Sequence, residues 1–84
     1  MTYSVSILRT AQKQLERIPA EAQDRVAEAM AALAESPRPQ GSVKLTGRDA
    51  QRIRVGTYRV IYEINDDTKA VLVVAVSHRK DAYR

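Results

Sequence analysis

Three arginines set the chemistry this sequence could perform. They lie in Arg52-Ile53-Arg54-Val55-Gly56-Thr57-Tyr58-Arg59-Val60-Ile61-Tyr62, two runs of alternating residues around Gly56-Thr57. A two-residue link with glycine first suits a type II′ hairpin turn. If Val55 and Tyr58 close that hairpin, Arg54 lies opposite Arg59, Ile53 opposite Val60 and Arg52 opposite Ile61. Side chains alternate along a strand, so Ile53, Val55, Tyr58, Val60 and Tyr62 share one face, and Arg52, Arg54 and Arg59 share the other. Like charges directly opposite on a sheet are destabilising, by something on the order of 0.2–1 kcal/mol. An anion would relieve that repulsion, and phosphate fits best because guanidinium forks match its oxygens. The alternative is a solvated sheet face partly neutralised by Glu63, which has the same parity.

The elements that must position this hairpin are legible on either side of it. Tyr3 to Leu8 alternates with period two and reads as a first strand. Thr10 is the expected N-cap of a short helix bearing Ala11, Leu15 and Ile18 on one stripe. Pro19 interrupts it and suits the first turn of a second helix, about Ala20 to Glu35, with Ala22, Val26, Ala29, Met30 and Leu33 facing a core. Ser36 to Ser42 carries two prolines and a glycine and reads as a loop between the helical and sheet halves. Val43 to Leu45 is a short strand. Asn65-Asp66-Asp67-Thr68 is a turn, and Lys69 to His78 is a strand apolar on both faces, hence central. In that last strand Leu72, Val74 and Val76 are expected to face the helices, with Ala75, Ser77 and Arg79 joining the arginine face. The expected fold class is α+β: an N-terminal strand, a helical hairpin, then an antiparallel sheet with a basic concave face.

At 84 residues the chain suits one small domain. It has no cysteine and one histidine, His78, which argues against a disulfide framework or a zinc site. No apolar run reaches membrane-spanning length and no signal-peptide pattern opens the chain, so a cytoplasmic protein without a membrane partner is expected. The net charge of +4 is unevenly placed. Residues 1–43 carry five basic and five acidic side chains, whereas residues 44–84 carry nine and five. A basic second half suggests a face adapted to nucleic acid or to an acidic protein.

With Lys44 nearby and Tyr83 in reach, Arg52, Arg54, Arg59 and Arg79 would suit RNA: arginines position phosphates, and an aromatic ring can stack on a splayed base. Cleaving RNA needs a base for the 2′-hydroxyl proton, a stabiliser of the phosphorane and an acid for the leaving oxygen. Arginines supply the second, but are poor bases because they stay protonated. For the outer two roles the sequence offers Tyr83, His78, Glu63, Lys44 and Lys80.

The order strand, two helices, Lys44-Leu45-Thr46-Gly47, Arg52 to Tyr62 and a terminal His78-Arg79-Lys80 with Tyr83-Arg84 resembles the RelE/ParE toxin superfamily across residues 1–84. RelE-type members cut mRNA in the ribosomal A site, and ParE-type members poison DNA gyrase. Both share the G-x-Y-R hairpin, and the terminal Arg79 and Tyr83 resemble the RelE branch. The resemblance implies that Arg59 stabilises the phosphorane, that Arg79 assists or acts as the acid, and that Tyr83 orients or stacks on the target nucleotide. Lys44, Arg52, Arg54 and Lys80 are then RNA-binding. Arg52 and Arg54 stand where the best-studied RelE sites carry lysines, so a lysine base must be lost or moved. An imidazole is the obvious substitute, which makes His78 a catalytic candidate, with a purely structural imidazole as its alternative. No metal or organic cofactor is expected. The partners implied are a cognate antitoxin protein and the ribosome with its mRNA, with DNA reached only through the antitoxin.

Overall fold

The computed structural model describes residues 2–47 and 49–78. Strand β1 (Ser4–Ile7) leads into helices α1 (Arg9–Glu16) and α2 (Ala20–Ala32), followed by β2 (Val43–Lys44), β3 (Gln51–Val55), β4 (Tyr58–Asn65) and β5 (Ala70–His78). The five strands form one sheet in the order β1-β5-β4-β3-β2. β1 runs parallel to β5, and every other pair is antiparallel. The fold is thus α+β as the sequence predicts, with one parallel pair at the edge.

Both helices cover one face. Ala11, Val26, Met30 and Leu33 are buried against Ile53, Val60, Tyr62, Val71, Val73 and Val76, with Leu15 and Ile18 packed alongside. Burial of such apolar side chains contributes about 25 cal/mol per Å² removed from water and holds the two layers together.

The hairpin register is the one alternation predicts: Val55 opposite Tyr58, Ile53 opposite Val60, Arg54 opposite Arg59. Gly56 sits at φ +61, while Thr57 keeps a negative φ, the combination of a type II′ turn.

Four local expectations are corrected. Leu8 rather than Thr10 is the N-cap of α1, and it makes no side-chain cap. Pro19 is the N-cap of α2 rather than a first-turn residue, and α2 ends at Ala32 because Leu33 closes the last turn. In β5 the ladder with β4 slips: Ile61 pairs with Ala75 but Tyr62 with Val73, leaving Val74 as the extra residue of a β-bulge. The bulge changes parity, so Val71 and Val73 enter the core with Val76, while Leu72 lies opposite Glu63 on the other face.

The bulge lies just past the point where β5 loses its outer neighbour. β1 ends at Ile7 opposite Val73, and the last bond there is Leu8 N–H donating to the Val73 carbonyl. Beyond it the Val76 N–H donates to Gln14 Oε1 of α1 at 2.8 Å, so a helix side chain replaces the missing strand.

Candidate functional site

The register gathers Arg52, Arg54 and Arg59 on the face opposite the helices, as alternation predicts. Their surroundings differ. Arg54 is exposed, Arg52 is half-buried, and Arg59 is only 8% exposed. β4 has β5 and β3 as neighbours on its two sides, with Arg59 opposite Ser77 on one and Arg54 on the other. A guanidinium withdrawn from water interacts more strongly with an anion beside it, because the surroundings are less polarisable than water.

Further along the same face the charge reverses. Glu63 lies four residues beyond Arg59 on β4, about 13 Å at strand rise. It lines a hollow of about 480 Å³ with Ser6, Leu72 and Asp49. Ala75 and Ser77 lie beside Ile61 and Arg59 and leave small, uncharged neighbours next to the arginines.

Two other candidates are placed elsewhere. Lys44 pairs with Gln51, whose parity is that of Ile53, so it is an exposed edge residue off the arginine face, and its strand partner Val43 has the arginine parity instead. His78 pairs with Tyr58 on the helix face, ring edge to ring face at 5.4 Å and 89°. The sheet therefore stands between the His78 ring and Arg54 or Arg59. Arg79, Lys80 and Tyr83 lie outside the described residues.

Sequence reasoning missed the contacts that brace the opposite end of the sheet. Arg38 donates two hydrogen bonds to Asp66, at 3.2 and 3.0 Å, and the Tyr3 phenol donates a third at 2.7 Å. These bonds, the Arg38 pair first, hold the Asp66 carboxyl at about 2, below its ordinary 3.8. Asp66 in turn holds the Arg38 guanidinium above its ordinary value. The buried Tyr62 donates to the Pro37 carbonyl at 2.7 Å, and burial pushes its phenol up. Loop 36–42 is thereby fastened to the hairpin strand and to the β4–β5 turn. The only hint in the sequence was a loop arginine between prolines, 28 residues from its partner.

Comparison with known proteins places this architecture. A family profile for the ParE toxin of the type II toxin–antitoxin system parDE matches residues 5–83. The chain belongs to the RelE/ParE toxin superfamily. Toxin RelG of Mycobacterium tuberculosis is 34% identical over 88 residues, spanning 100% of this chain and 99% of that protein. A chain of the toxin–antitoxin complex RelBE2 from the same organism superposes with TM-score 0.84 at 28% identity, covering 94% of this chain and 100% of its own. A chain of the archaeal RelE–RelB complex from Pyrococcus horikoshii gives 0.84 at 33% identity, covering 94% and 97%. This RelE/ParE chain is therefore the toxin type of a toxin–antitoxin pair, with its hairpin arginines on the sheet face left open by its helices. No helix among the described residues is long and apolar enough to cross a membrane.

Proposed function

We propose that this toxin is a ribosome-dependent endoribonuclease that cleaves mRNA in the A site. The observation that carries the reading is the pairing of Arg54 with Arg59 on the open sheet face, in a chain similar to RelG and RelE toxins. In the proposed reaction the 2′-oxygen of one nucleotide attacks the adjacent phosphorus and loses its proton to a base. The bond from phosphorus to the 5′-oxygen breaks, and that oxygen takes a proton from an acid. The products are a 2′,3′-cyclic phosphate and a 5′-hydroxyl end.

Arg59 neutralises the charge that builds on the phosphorane oxygens, where a preorganised donor contributes most. Arg52 and Arg54 hold the flanking backbone. Arg79 assists or supplies the leaving-group proton, and Tyr83 orients the target nucleotide, both by resemblance to RelE. Charges and acid–base groups suffice for this route, so no cofactor is invoked. The placement of His78 behind the sheet weighs against it as the base.

An arginine row grips phosphate but does not orient a flexible single strand for in-line attack. Orientation contributes roughly 7–11 kcal/mol of barrier reduction, so the host ribosome is assigned that part. Its natural setting is then the cytoplasm. Relatives solved as RelE–RelB and RelBE2 complexes support a cognate RelB-type antitoxin as the other partner. The match to the ParE profile favours a second reading, a gyrase poison without nuclease chemistry.

One labelled mRNA, incubated with purified protein with and without programmed ribosomes under chelation, separates the readings. Cleavage only with ribosomes is expected. Equal cleavage in both tubes refutes ribosome dependence, and none in either favours gyrase.

A further inference from the structure

The register sets the open sheet face out in rows. Arg54, Arg59 and Ser77 form the first, Val43, Arg52, Ile61 and Ala75 the second, and Glu63 and Leu72 with Ser6 the third. Along β4 each row lies two residues from the next, about 7 Å at strand rise. That is comparable to the step between successive phosphates of an extended single strand. A message whose scissile phosphate rests on Arg59 therefore carries its neighbouring nucleotide over the second row. It reaches the third row with the nucleotide after that.

The chemistry changes from row to row. Past Arg52 the second row is aliphatic: Ile61 and Ala75 are half-buried, and Val43 at the β2 edge is 45% exposed. Leu8, 42% exposed, follows Ser6 and Ile7 in extended backbone and so carries the parity of Ser6 at the β1 edge. The third row opens into the hollow of about 480 Å³, where half-buried Leu72 lies between Glu63 of β4 and Ser6 of β1. A carboxylate repels phosphate, so a strand arriving from the arginines presents its base there and keeps its backbone away. The aliphatic side chains give the flat face of that base an apolar surface to cover.

We propose that this hollow is a base-selecting subsite, in which Glu63 accepts hydrogen bonds from a guanine of the message separated from the cut by one nucleotide. The proposal rests on the ribosome-dependent reading above and adds a specificity residue to it. A carboxylate offers acceptors only. Guanine presents two donors side by side on its Watson–Crick edge, the ring N1–H and the 2-amino group, and these match the two oxygens of one carboxylate. Adenine and cytosine set a single amino donor beside a ring-nitrogen lone pair, and uracil sets one N–H between two carbonyls. Each of the three turns an acceptor towards the Glu63 oxygens. Glu63 is exposed, so the discrimination belongs at the lower end for a bidentate pair, about tenfold.

The test compares messages on programmed ribosomes that differ only in the base one nucleotide removed from the cut, on its 5′ or its 3′ side. Each of the four bases is tried there, and inosine, which differs from guanine only in lacking the 2-amino group. With the full chain, kcat/KM should favour guanine by about tenfold at one of the two positions, and inosine should lose much of that advantage. Glu63→Gln sets an amide donor against the guanine donors and should bring the guanine-to-inosine ratio close to one. Glu63→Asp keeps both oxygens and should keep a preference. The ratio is read within one protein preparation, so a loss of fold or of overall rate does not imitate it. Equal rates for guanine and inosine with the unaltered protein overturn the subsite and leave the nuclease reading standing. A ratio that survives Glu63→Gln overturns it too, and weakened antitoxin binding by that variant would then give the hollow to a basic protein segment. No cleavage of any message overturns the nuclease reading and the subsite together.

Discussion

Arg54 and Arg59 stand directly opposite each other across the hairpin, one exposed and the other 8% exposed. Under the proposed mechanism their tasks separate accordingly. Arg59→Ala is expected to lower ribosome-dependent cleavage by about 10²–10³-fold and, because the site is buried, to cost about 1–3 kcal/mol of stability. Arg59→Lys should restore the charge but little activity, since a point charge cannot grip two phosphate oxygens. Arg54→Ala should change stability by less than about 0.5 kcal/mol and weaken RNA binding more than the chemical step. Cleavage rates and urea unfolding of the three variants check this. A folded Arg59→Ala protein with full activity would remove Arg59 from the mechanism.

The Tyr58–His78 contact leads to a prediction about pH. An imidazole base produces a rate that climbs through about pH 6–7. With His78 on the helix face, His78→Gln is expected to leave the pH–rate profile of single-turnover cleavage unaltered in shape. A profile that flattens in this variant returns the base to His78.

Gly56 controls the register that brings Arg54 and Arg59 together. A Cβ there would meet only the far end of Arg25, with the guanidinium nitrogen at 4.0 Å, so space is not the obstacle. The backbone is: φ is +61. Gly56→Ala should cost about 1–2 kcal/mol through that strain, measured by chemical denaturation, and toxicity should fall along with hairpin stability. A neutral substitution would mean that the turn relaxes without cost.

Asp66 makes acid sensitivity local. Its carboxyl is held at about 2 in the folded protein against an ordinary 3.8, so the folded state gives up this proton more readily than the unfolded chain. The stabilisation is fully present above 3.8 and is lost as pH falls through about 2. Asp66→Asn should therefore lower the thermal midpoint at neutral pH, with the difference shrinking as pH falls towards and below about 2. Both partners are about half exposed, so the effect should be modest and should shrink with salt. Equal midpoints at neutral pH would show that the Arg38–Asp66 pair contributes nothing.

Alternation alone determined the arginine face. In each run flanking Gly56-Thr57 every second residue is β-branched or aromatic, Ile53 and Val55 before it and Tyr58, Val60 and Tyr62 after it, and a turn led by glycine admits one register, so faces and cross-strand partners follow from local rules. The apolar stripes of α1 and α2 likewise predicted Ala11, Val26, Met30 and Leu33 as core. Only the tertiary structure decided the rest. β5 is apolar on both faces, so its pattern carries no parity. Its phase is instead set by neighbours distant in sequence: β1 ending opposite Val73, Gln14 taking the Val76 N–H, and the extra residue at Val74. The same holds for the degree of burial of Arg59 and for Lys44, whose face is assigned through its strand partner Gln51, whereas parity along β5 already put His78 on the face opposite Ala75 and Ser77. Periodicity sorts the side chains within one element. Which element lies across from it is a property of the folded chain, because those contacts join residues tens of positions apart.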